Sequence, residues 1–591
     1  MNMPQYGRTT TFAFAALGLT FWLSGALAAQ ENQARPNVIL VMTDDQGYGD
    51  LGAHGNPKIK TPNLDRFARQ SVEFSQFYVC PVCSPTRSSL LTGRYNYRTG
   101  VVDTFVGRSL MFADEVTLAE MLGAAGYRTG IFGKWHLGDN YPLRAMDQGF
   151  QEALVIKGGG IRQPSDPPGG DGYFNPMLMH NGRLEQSRGY CSDVYTDAAI
   201  QFIEQPSDRP FFVYLPFNAP HGPFEAPEKE LAAYRKENLD PDEFPKIGYP
   251  QRGRVGQDDL ARAYAMVTNI DENFGRLMNK LDELQLAKNT IVIFLTDNGP
   301  PQPRYNAGLH GLKGSVYEGG IRVLFYIRWP ARLPAGQKRE IAAAHIDVAP
   351  TLLEACHVEP PAGLKFDGHS LLHVLLGKAG DSPERTLFFQ WHRGNRPQLH
   401  RAFAARGPRW KLLQANGAFD ESQKPPESPR FELYDLPADP YEEHDVAAEH
   451  PEIVADLKRQ YEAWFSEMSA ARDFALPRIA IGTEHENPVV LTRQDWRGSA
   501  AGWKPNDIGH WELDVATEGE YQVILHFTPG ADSAEAALGG QNHERHLKPG
   551  EDACELGPFR LKPGPERLDS RVAEGDIRRG VLYAEVRRVG N

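Results

Sequence analysis

The chain has 591 residues, 41% hydrophobic, 24% charged and 10% aromatic, an ordinary globular composition that excludes collagen-like, coiled-coil and wholly disordered chains. Acidic residues outnumber basic ones by 76 to 63, giving a formal charge of −13. That sets aside a nucleic-acid binder, which needs clustered cations, but leaves room for a local basic pocket that takes a small anion. Five cysteines are too few for a disulfide scaffold.

Residues 1–29 have the form of an export signal. Arg8 supplies positive charge, 11–25 is mostly apolar, and Ala26-Leu27-Ala28 has the small-x-small form of a cleavage site. Cleavage is expected after Ala28 or Ala29. The alternative is an uncleaved anchor. No cysteine near the site suits a lipid anchor, and no later run is long and apolar enough to span a bilayer. The expected location is periplasmic or extracellular, with no stable membrane partner.

Four short apolar runs follow in order: 38–42 (VILVM), 129–132 (TGIF), 211–215 (FFVYL) and 290–295 (TIVIFL). Such runs suit strands of a parallel sheet covered on both faces. Helical patterns alternate with them. Thr117-Leu118-Ala119-Glu120 is a capping box with Gly126 as a stop, and Tyr195, Ala199, Phe202 and Ile203 form one stripe. Val267, Ile270, Phe274, Leu277, Leu281 and Leu284 step by 3 and 4 along one face of a long helix. The fold class read from this alternation is α/β, with a mostly parallel central sheet flanked by helices.

The first and last runs end in acidic pairs, Asp44-Asp45 and Asp297-Asn298. Ligands of open α/β sheets bind at the C-terminal edge of the strands. Three carboxylates and an amide are hard oxygen donors, suited to Ca²⁺ or Mg²⁺ and poorly to zinc. Either pair alone would pass as a turn cap; two matched pairs after matched strands favour a metal.

Residues 80–94 read CPVCSPTRSSLLTGR. Ser84-Pro85 suits a helix start and Gly93 its end, which puts Cys83 at a helix N-terminus, where partial positive charge favours an anion. Arg87 falls one turn on, on the same face. A nucleophile beside a fixed guanidinium suits attack on an anionic ester.

The texture changes after about residue 375, where 410–413 and 431–436 look like short strands and 452–465 like a helix, a smaller α+β subdomain spanning 376–480. It changes again near 485. From there to 591, strand-like runs separated by Gly/Pro turns predict an appended β-sandwich-like module.

Cys83-x-Pro85-x-Arg87 with the following Leu-Thr-Gly-Arg resembles the signature of type I sulfatases, in the alkaline-phosphatase-like superfamily. The resemblance covers roughly 36–470. It extends to 37–49 (NVILVMTDDQGYG), 126–138 (GYRTGIFGKWHLG), 216–223 (PFNAPHGP), 296–299 with 311–314 and 318–322, and 433–440 (LYDLPADP).

The resemblance implies a sulfuric ester hydrolase whose Cys83 is oxidised to formylglycine (3-oxoalanine) by a separate maturation enzyme. The hydrated aldehyde is then the nucleophile, and its second hydroxyl allows sulfate to leave. It also implies one Ca²⁺ held by Asp44, Asp45, Asp297 and Asn298, with modified Cys83 completing the shell. Arg87 would hold the diol and His136 would take its proton. Lys134, His221 and Lys313 would bind sulfate oxygens, with His221 or Lys313 protonating the leaving alcohol. Glu318 and Arg322 read as structural, and Cys80 as a buried thiol.

Specificity is less legible. The Gly/Pro-rich stretch 158–172 suits a substrate-access loop. Arg162, His180, Gln390, Trp391, His392 and Arg393 are candidate rim residues. In the terminal module, Trp496, Trp503, Trp511 and Tyr521 suggest either carbohydrate binding or core, with Trp511 favouring core. A secreted glycan sulfatase acting on a sulfated small molecule or glycan is the first reading. A phosphonate monoester or phosphodiester hydrolase and a catalytically silent glycan-binding protein are the alternatives.

Overall fold

The computed structural model describes residues 7, 35–166, 172–250, 253–378, 384–421 and 428–590. The expected export signal lies outside the described residues except for Gly7. So does 167–171 of the Gly/Pro-rich stretch.

All four apolar runs form strands: Asn37–Thr43, Arg128–Lys134, Phe211–Pro216 and Thr290–Thr296. They lie side by side and parallel. Asn37–Thr43 sits between Phe211–Pro216 and Thr290–Thr296, and Arg128–Lys134 pairs with the outer side of Phe211–Pro216. Alternate side chains point to opposite faces. Val38, Leu40 and Met42 enter one apolar cluster, and Ile39 and Val41 the other. Phe212 and Tyr214 divide from Val213 and Leu215 in the same way. Two buried faces are why these strands are apolar throughout rather than alternating.

Among the described residues the sheet has 11 strands. Its flanks include antiparallel strands, Phe325–Arg328 on one side and Met177–His180 with Arg183–Gln186 on the other. The helix Gln257–Glu283 crosses between the third and fourth apolar strands, burying Val267, Ile270, Phe274, Leu277 and Leu281. Leu284 falls just past its end and is partly exposed. The helix Leu118–Ala124 has the expected capping box: Thr117 Oγ1 accepts from Glu120 N at 3.2 Å, and the Glu120 carboxylate accepts from Thr117 N at 2.8 Å.

A four-stranded antiparallel sheet follows, made of Leu387–Gln390, Phe403–Arg406, Trp410–Gln414 and Glu432–Asp435. The helix Pro451–Arg472 closes its core with Tyr461, Trp464 and Met468. Buried Lys411 ties this sheet to the first by ion pairs to Glu318 and Glu442, each 2.8 Å.

The C-terminal residues form two more sheets around one core that contains Trp496, Trp511 and Tyr521. The strand Ile479–Ile481 joins this part, upstream of the change of texture at 485. Val106, Leu110 and Leu143 of the α/β part belong to the same core. The C-terminal sheets are therefore packed onto the α/β part by shared apolar contact.

Candidate active site

The C-terminal ends of the central strands converge. Asp297 N donates to Thr43 O at 3.1 Å, and Asp45 N donates to Asp297 Oδ1 at 3.1 Å, joining the two acidic turns. Asp44 N donates to Ala219 O at 3.2 Å, bringing in the His221 loop. Asp45 adopts φ +67°, a left-handed conformation that aspartate tolerates better than most residues. Gly299 has no substitute at its position, since a Cβ there would lie 1.9 Å from Gly319 O.

The helix Cys83–Thr92 starts at Cys83 and ends at Gly93, whose φ of +69° caps it. All ten of its residues are buried. The hydroxyls of Thr86, Ser88 and Thr92 donate to backbone carbonyls, and the bond from Thr86 Oγ1 to Asp297 O at 2.7 Å fixes the helix against the second acidic turn. Oxygen or sulfur atoms of Asp44, Cys83 and Asp297 all lie within 4.8 Å of one another.

Three carboxylates meet three cations here. Arg87 Nη2 donates to Asp297 Oδ2 at 2.7 Å and lies 3.6 Å from Asp44 Oδ2, while Nη1 donates to Lys134 O at 3.0 Å. Lys134 is fully buried and bonded to Asp44 rather than opening onto a cavity. Lys313 Nζ donates to Asp45 Oδ1 at 2.5 Å and lies 4.0 Å from Cys83 Sγ. Burial alone would raise the Asp44 carboxyl, but Lys134, His221 and Arg87 outweigh it and hold it well below the usual range. Burial, then Asp44, pushes Asp297 up to about 7. Burial works against charge on Lys313, but Asp45 outweighs it and raises its pKa.

Two oxygens stand out. Asp44 Oδ1 and Asn298 Oδ1 are buried without a hydrogen-bond donor. Unsatisfied buried oxygens among hard donors are what a cation removes. The set fits Ca²⁺ or Mg²⁺ and offers no soft ligand except Cys83. With the carboxylates already balanced by Arg87, Lys134 and Lys313, a divalent ion would leave the site positive toward an anionic ester.

A cavity of 390 Å³ opens above Cys83. Cys83, His136, His221 and Lys313 line its inner end. Burial raises the Cys83 thiol, so the thiolate is disfavoured despite Lys134 and Lys313. His136 sits at φ +60°, an uncommon conformation for a side-chain-bearing residue. Its Nε2 lies 2.8 Å from Thr104 O, which can only accept, so Nε2 carries the proton and Nδ1 is the basic atom. Nδ1 is buried and without a partner, and burial, reinforced by Lys134, holds the ring well below its usual pKa. His221 Nδ1 lies 2.6 Å from Gly222 O, leaving Nε2 toward Asp45 Oδ2 at 3.8 Å. Burial lowers its pKa too.

All ten expected site residues are thus gathered at one strand edge. Of the rim candidates, Trp391 and Arg393 line the cavity. Gln390 and His392 are buried away from it, bonded to the backbone of 393, 398 and 401. His180 lies between Glu152 and Glu185, and Arg162 pairs with Glu225. Gly159 and Gln163, from the stretch 158–172 expected to shape substrate access, also line the cavity, as does Trp503, an aromatic of the terminal module. Thr104, Phe105 and Phe419 line it too and carry no pattern that marks them in the sequence.

A sheet edge carrying a helix-borne Cys83, buried cations and oxygen donors marks a hydrolase of anionic esters built on an α/β fold. The Sulfatase family model matches residues 36–358, and a model described as N-sulphoglucosamine sulphohydrolase, C-terminal, matches 308–467. The chain is 32% identical to human arylsulfatase A (Homo sapiens) over 520 residues, covering 79% of this chain and 94% of the relative. It is 29% identical to an N-acetylgalactosamine-6-O-sulfatase of Bacteroides thetaiotaomicron, over 73% of this chain and 94% of that one. A crystal structure of Ps i-CgsB in complex with k-i-k-neocarrahexaose superposes with a TM-score of 0.61 at 28% identity, covering 76% of this chain and 96% of that one. The chain belongs to the sulfatase family, in the alkaline-phosphatase-like superfamily, and is a sulfuric ester hydrolase. Among the described residues no helix is long and apolar enough to cross a membrane.

Proposed function

We propose that the protein hydrolyses sulfate monoesters of carbohydrates, with formylglycine made from Cys83 by a separate maturation enzyme and with one bound Ca²⁺. The observation that carries this is the pair of donorless buried oxygens, Asp44 Oδ1 and Asn298 Oδ1, beside a Cys83 whose thiolate is disfavoured. A buried thiol is a poor nucleophile there, whereas an oxygen nucleophile suits a hard cation. The carbohydrate is supported by the N-acetylgalactosamine-6-O-sulfatase name of the Bacteroides relative and by the neocarrahexaose complex of the structural neighbour.

Asp44, Asp45, Asp297, Asn298 and modified Cys83 would hold the ion, which supplies positive charge to the ester oxygens. The hydrated aldehyde supplies a hydroxyl nucleophile and a second hydroxyl through which sulfate is released. Arg87 positions residue 83 and Asp297 from the same helix face. Lys134 keeps Asp44 ionised. Lys313 and His221 face the ester from the inner end of the cavity. Since His221 Nδ1–H is committed to Gly222 O, the ring donates to the leaving alcohol from Nε2 only as imidazolium, a form that burial disfavours and that the Asp45 charge only partly recovers. Lys313, held charged by Asp45, is the alternative donor. His136 Nδ1 would take the proton of the remaining hydroxyl of residue 83, whose electron pair re-forms the aldehyde as the bond to sulfate breaks.

On this reading 1–29 is a signal peptide and the mature protein is periplasmic or extracellular. Residues 36–375 form the catalytic domain, 376 to about 478 its α+β subdomain, and the remainder, with the strand Ile479–Ile481 at its start, an appended β-sandwich-like module.

The test is sulfate release from sulfated monosaccharides, oligosaccharides and polysaccharides. The enzyme is made with a maturation enzyme, and the Cys83 peptide mass is checked. Release that Cys83→Ala abolishes is expected. No release from fully oxidised, Ca²⁺-loaded enzyme, together with hydrolysis of an aryl phosphonate, would overturn it.

A further inference from the structure

The cavity above Cys83 has two chemically distinct ends. The inner end is ionic. The outer end is aromatic, and one of its walls comes from the far C-terminal part of the chain. Trp503, half-buried, lines the cavity with Phe105, Phe419 and Arg393. The Trp503 and Phe105 rings meet edge to face, with centroids 5.1 Å apart at 73°. The Arg393 guanidinium lies 4.4 Å from the centre of the Phe105 ring. Phe419 is 65% exposed, an unusual position for so large an apolar side chain. Buried Trp391 backs it edge to face at 5.2 Å.

These walls are held in place. Asp103 accepts from Trp391 Nε1 at 2.9 Å and from Arg393 Nη1 at 2.7 Å, which fixes both relative to Phe105. The segment carrying Trp503 is pinned on both sides. Trp496 Nε1 donates to Gly502 O at 3.1 Å, Arg493 Nη1 donates to Lys504 O at 2.8 Å, and Lys504 N donates to Asp507 Oδ2 at 2.7 Å. The same C-terminal part reaches His136. Gln494 Nε2 donates at 2.9 Å to Thr104 O, the carbonyl that fixes the His136 tautomer. The C-terminal sheets therefore complete the cavity rather than standing apart from it.

We propose that Trp503 is a specificity-determining residue of the sulfatase site, giving the ring of a sulfated pyranose a stacking wall while its sulfate meets the ionic end. A pyranose has apolar C–H faces and polar edges. It matches a cavity with aromatic walls, a guanidinium at the rim, and the Gln163 amide, whose buried Oε1 has no partner. The proposal rests on the carbohydrate sulfatase reading above. It assigns the C-terminal module to the catalytic pocket, not to a separate glycan site. A fixed wall contacts the leaving sugar equally before and during bond cleavage, so its loss raises KM and leaves kcat largely alone.

The test compares wild type, Trp503→Ala and Trp503→Phe, all matured and Ca²⁺-loaded. The substrates are a panel of sulfated N-acetylgalactosamine, glucosamine and galactose esters, with para-nitrophenyl sulfate as the smaller ring. For the sugar the wild type accepts, Trp503→Ala is expected to raise KM roughly tenfold, the worth of one aromatic contact, with kcat within about threefold. The KM effect on the aryl sulfate is expected to be smaller. Trp503→Phe restores most of the sugar KM, which a merely structural disturbance would not predict. Unchanged KM in Trp503→Ala, or equal losses in kcat and on both substrates, overturns the proposal and leaves the sulfatase reading standing. A wild type that cleaves the aryl ester but no sugar ester overturns the carbohydrate reading and this proposal together. A wild type inert on every sulfate overturns the sulfate-ester reading itself.

Discussion

Asn298 Nδ2 donates to Asp45 Oδ1 at 2.7 Å. The same nitrogen donates to Gly299 O at 2.9 Å, so both amide protons are spent on acceptors. A flipped amide would put oxygen against oxygen; the orientation is therefore fixed by its neighbours. The consequence is that Asn298 Oδ1 is buried with no donor, as is Asp44 Oδ1 at the end of the neighbouring strand.

The first prediction follows from that pair. Ca²⁺ that binds only the folded chain, at about 100 times its Kd, stabilises it by about 2.7 kcal/mol. Chelation is expected to lower the melting temperature and Ca²⁺ to restore it. Asn298→Ala removes an oxygen ligand, so its melting temperature should respond far less to Ca²⁺. Calorimetric scans with and without chelator check this. An equal response in both proteins would remove Asn298 from the ligand set.

A second prediction concerns stability away from the chemistry. Lys411 is fully buried between Glu318 and Glu442. Glu318 also accepts from Tyr78 Oη at 3.1 Å and lies 3.6 Å from Arg322. Lys411→Ala would leave two buried carboxylates short of their cation. Removing one partner of a buried ion pair costs roughly 3–5 kcal/mol. Urea denaturation should show a loss of that size, with KM unchanged in whatever fraction stays folded. A loss below about 1 kcal/mol would show that the cluster is solvated or rearranges.

The sequence was most legible where local pattern and chemistry coincide. The run 38–42 is apolar because both sheet faces are buried, and it stops at Asp44-Asp45 because that edge faces the site. The Cys83 motif carried its own helix signals. Glu318 and Arg322, expected to be structural, pair with each other, Glu318 also with Lys411, and they do not line the cavity. What local pattern could not supply was the far end of the cavity. Trp391 and Arg393 line it while Gln390 and His392 do not, as expected of an extended chain whose alternate side chains face opposite ways. Nothing local says which alternate set faces the site. Phe105, Phe419 and Trp503 come from three distant segments, and only tertiary packing brings them together. The Trp511 and Trp496 rings, which belong to the same aromatic-rich module, are core.

A third prediction uses the tautomer of His136. With Nε2–H on Thr104 O, the unprotonated Nδ1 is the only ring atom able to take a proton. If it acts when sulfate leaves, His136→Ala should still expel the first alcohol. Leaving alcohol would then appear as a burst of about one per active site, with steady turnover slowed roughly 10²–10⁴-fold. Rapid-quench assay of alcohol and sulfate separately checks this. Both products appearing in step, without a burst, would assign the proton transfer elsewhere.

A fourth prediction concerns pH and the junction with the C-terminal sheets. Asp495 is buried there, beside the charge of half-buried Asp139. Burial first, and Asp139 second, pushes Asp495 up to about 8, against the partial relief of Lys157 and Arg497. In the unfolded chain an aspartate titrates near about 3.9. Between those values the folded state holds a proton that the unfolded state has released. The unfolding free energy therefore falls as pH rises, by up to about 1.4 kcal/mol per pH unit for each such proton. The stabilisation is complete below the unfolded pKa and is lost as pH passes through the folded one. Asp495→Asn cannot ionise, so it removes this proton from the balance. Its urea midpoint should decline less than that of wild type from about pH 5 to about pH 8, and should exceed it at the alkaline end. Parallel declines in the two proteins would mean that Asp495 is already ionised in the folded state, and that Lys157 and Arg497 outweigh its burial.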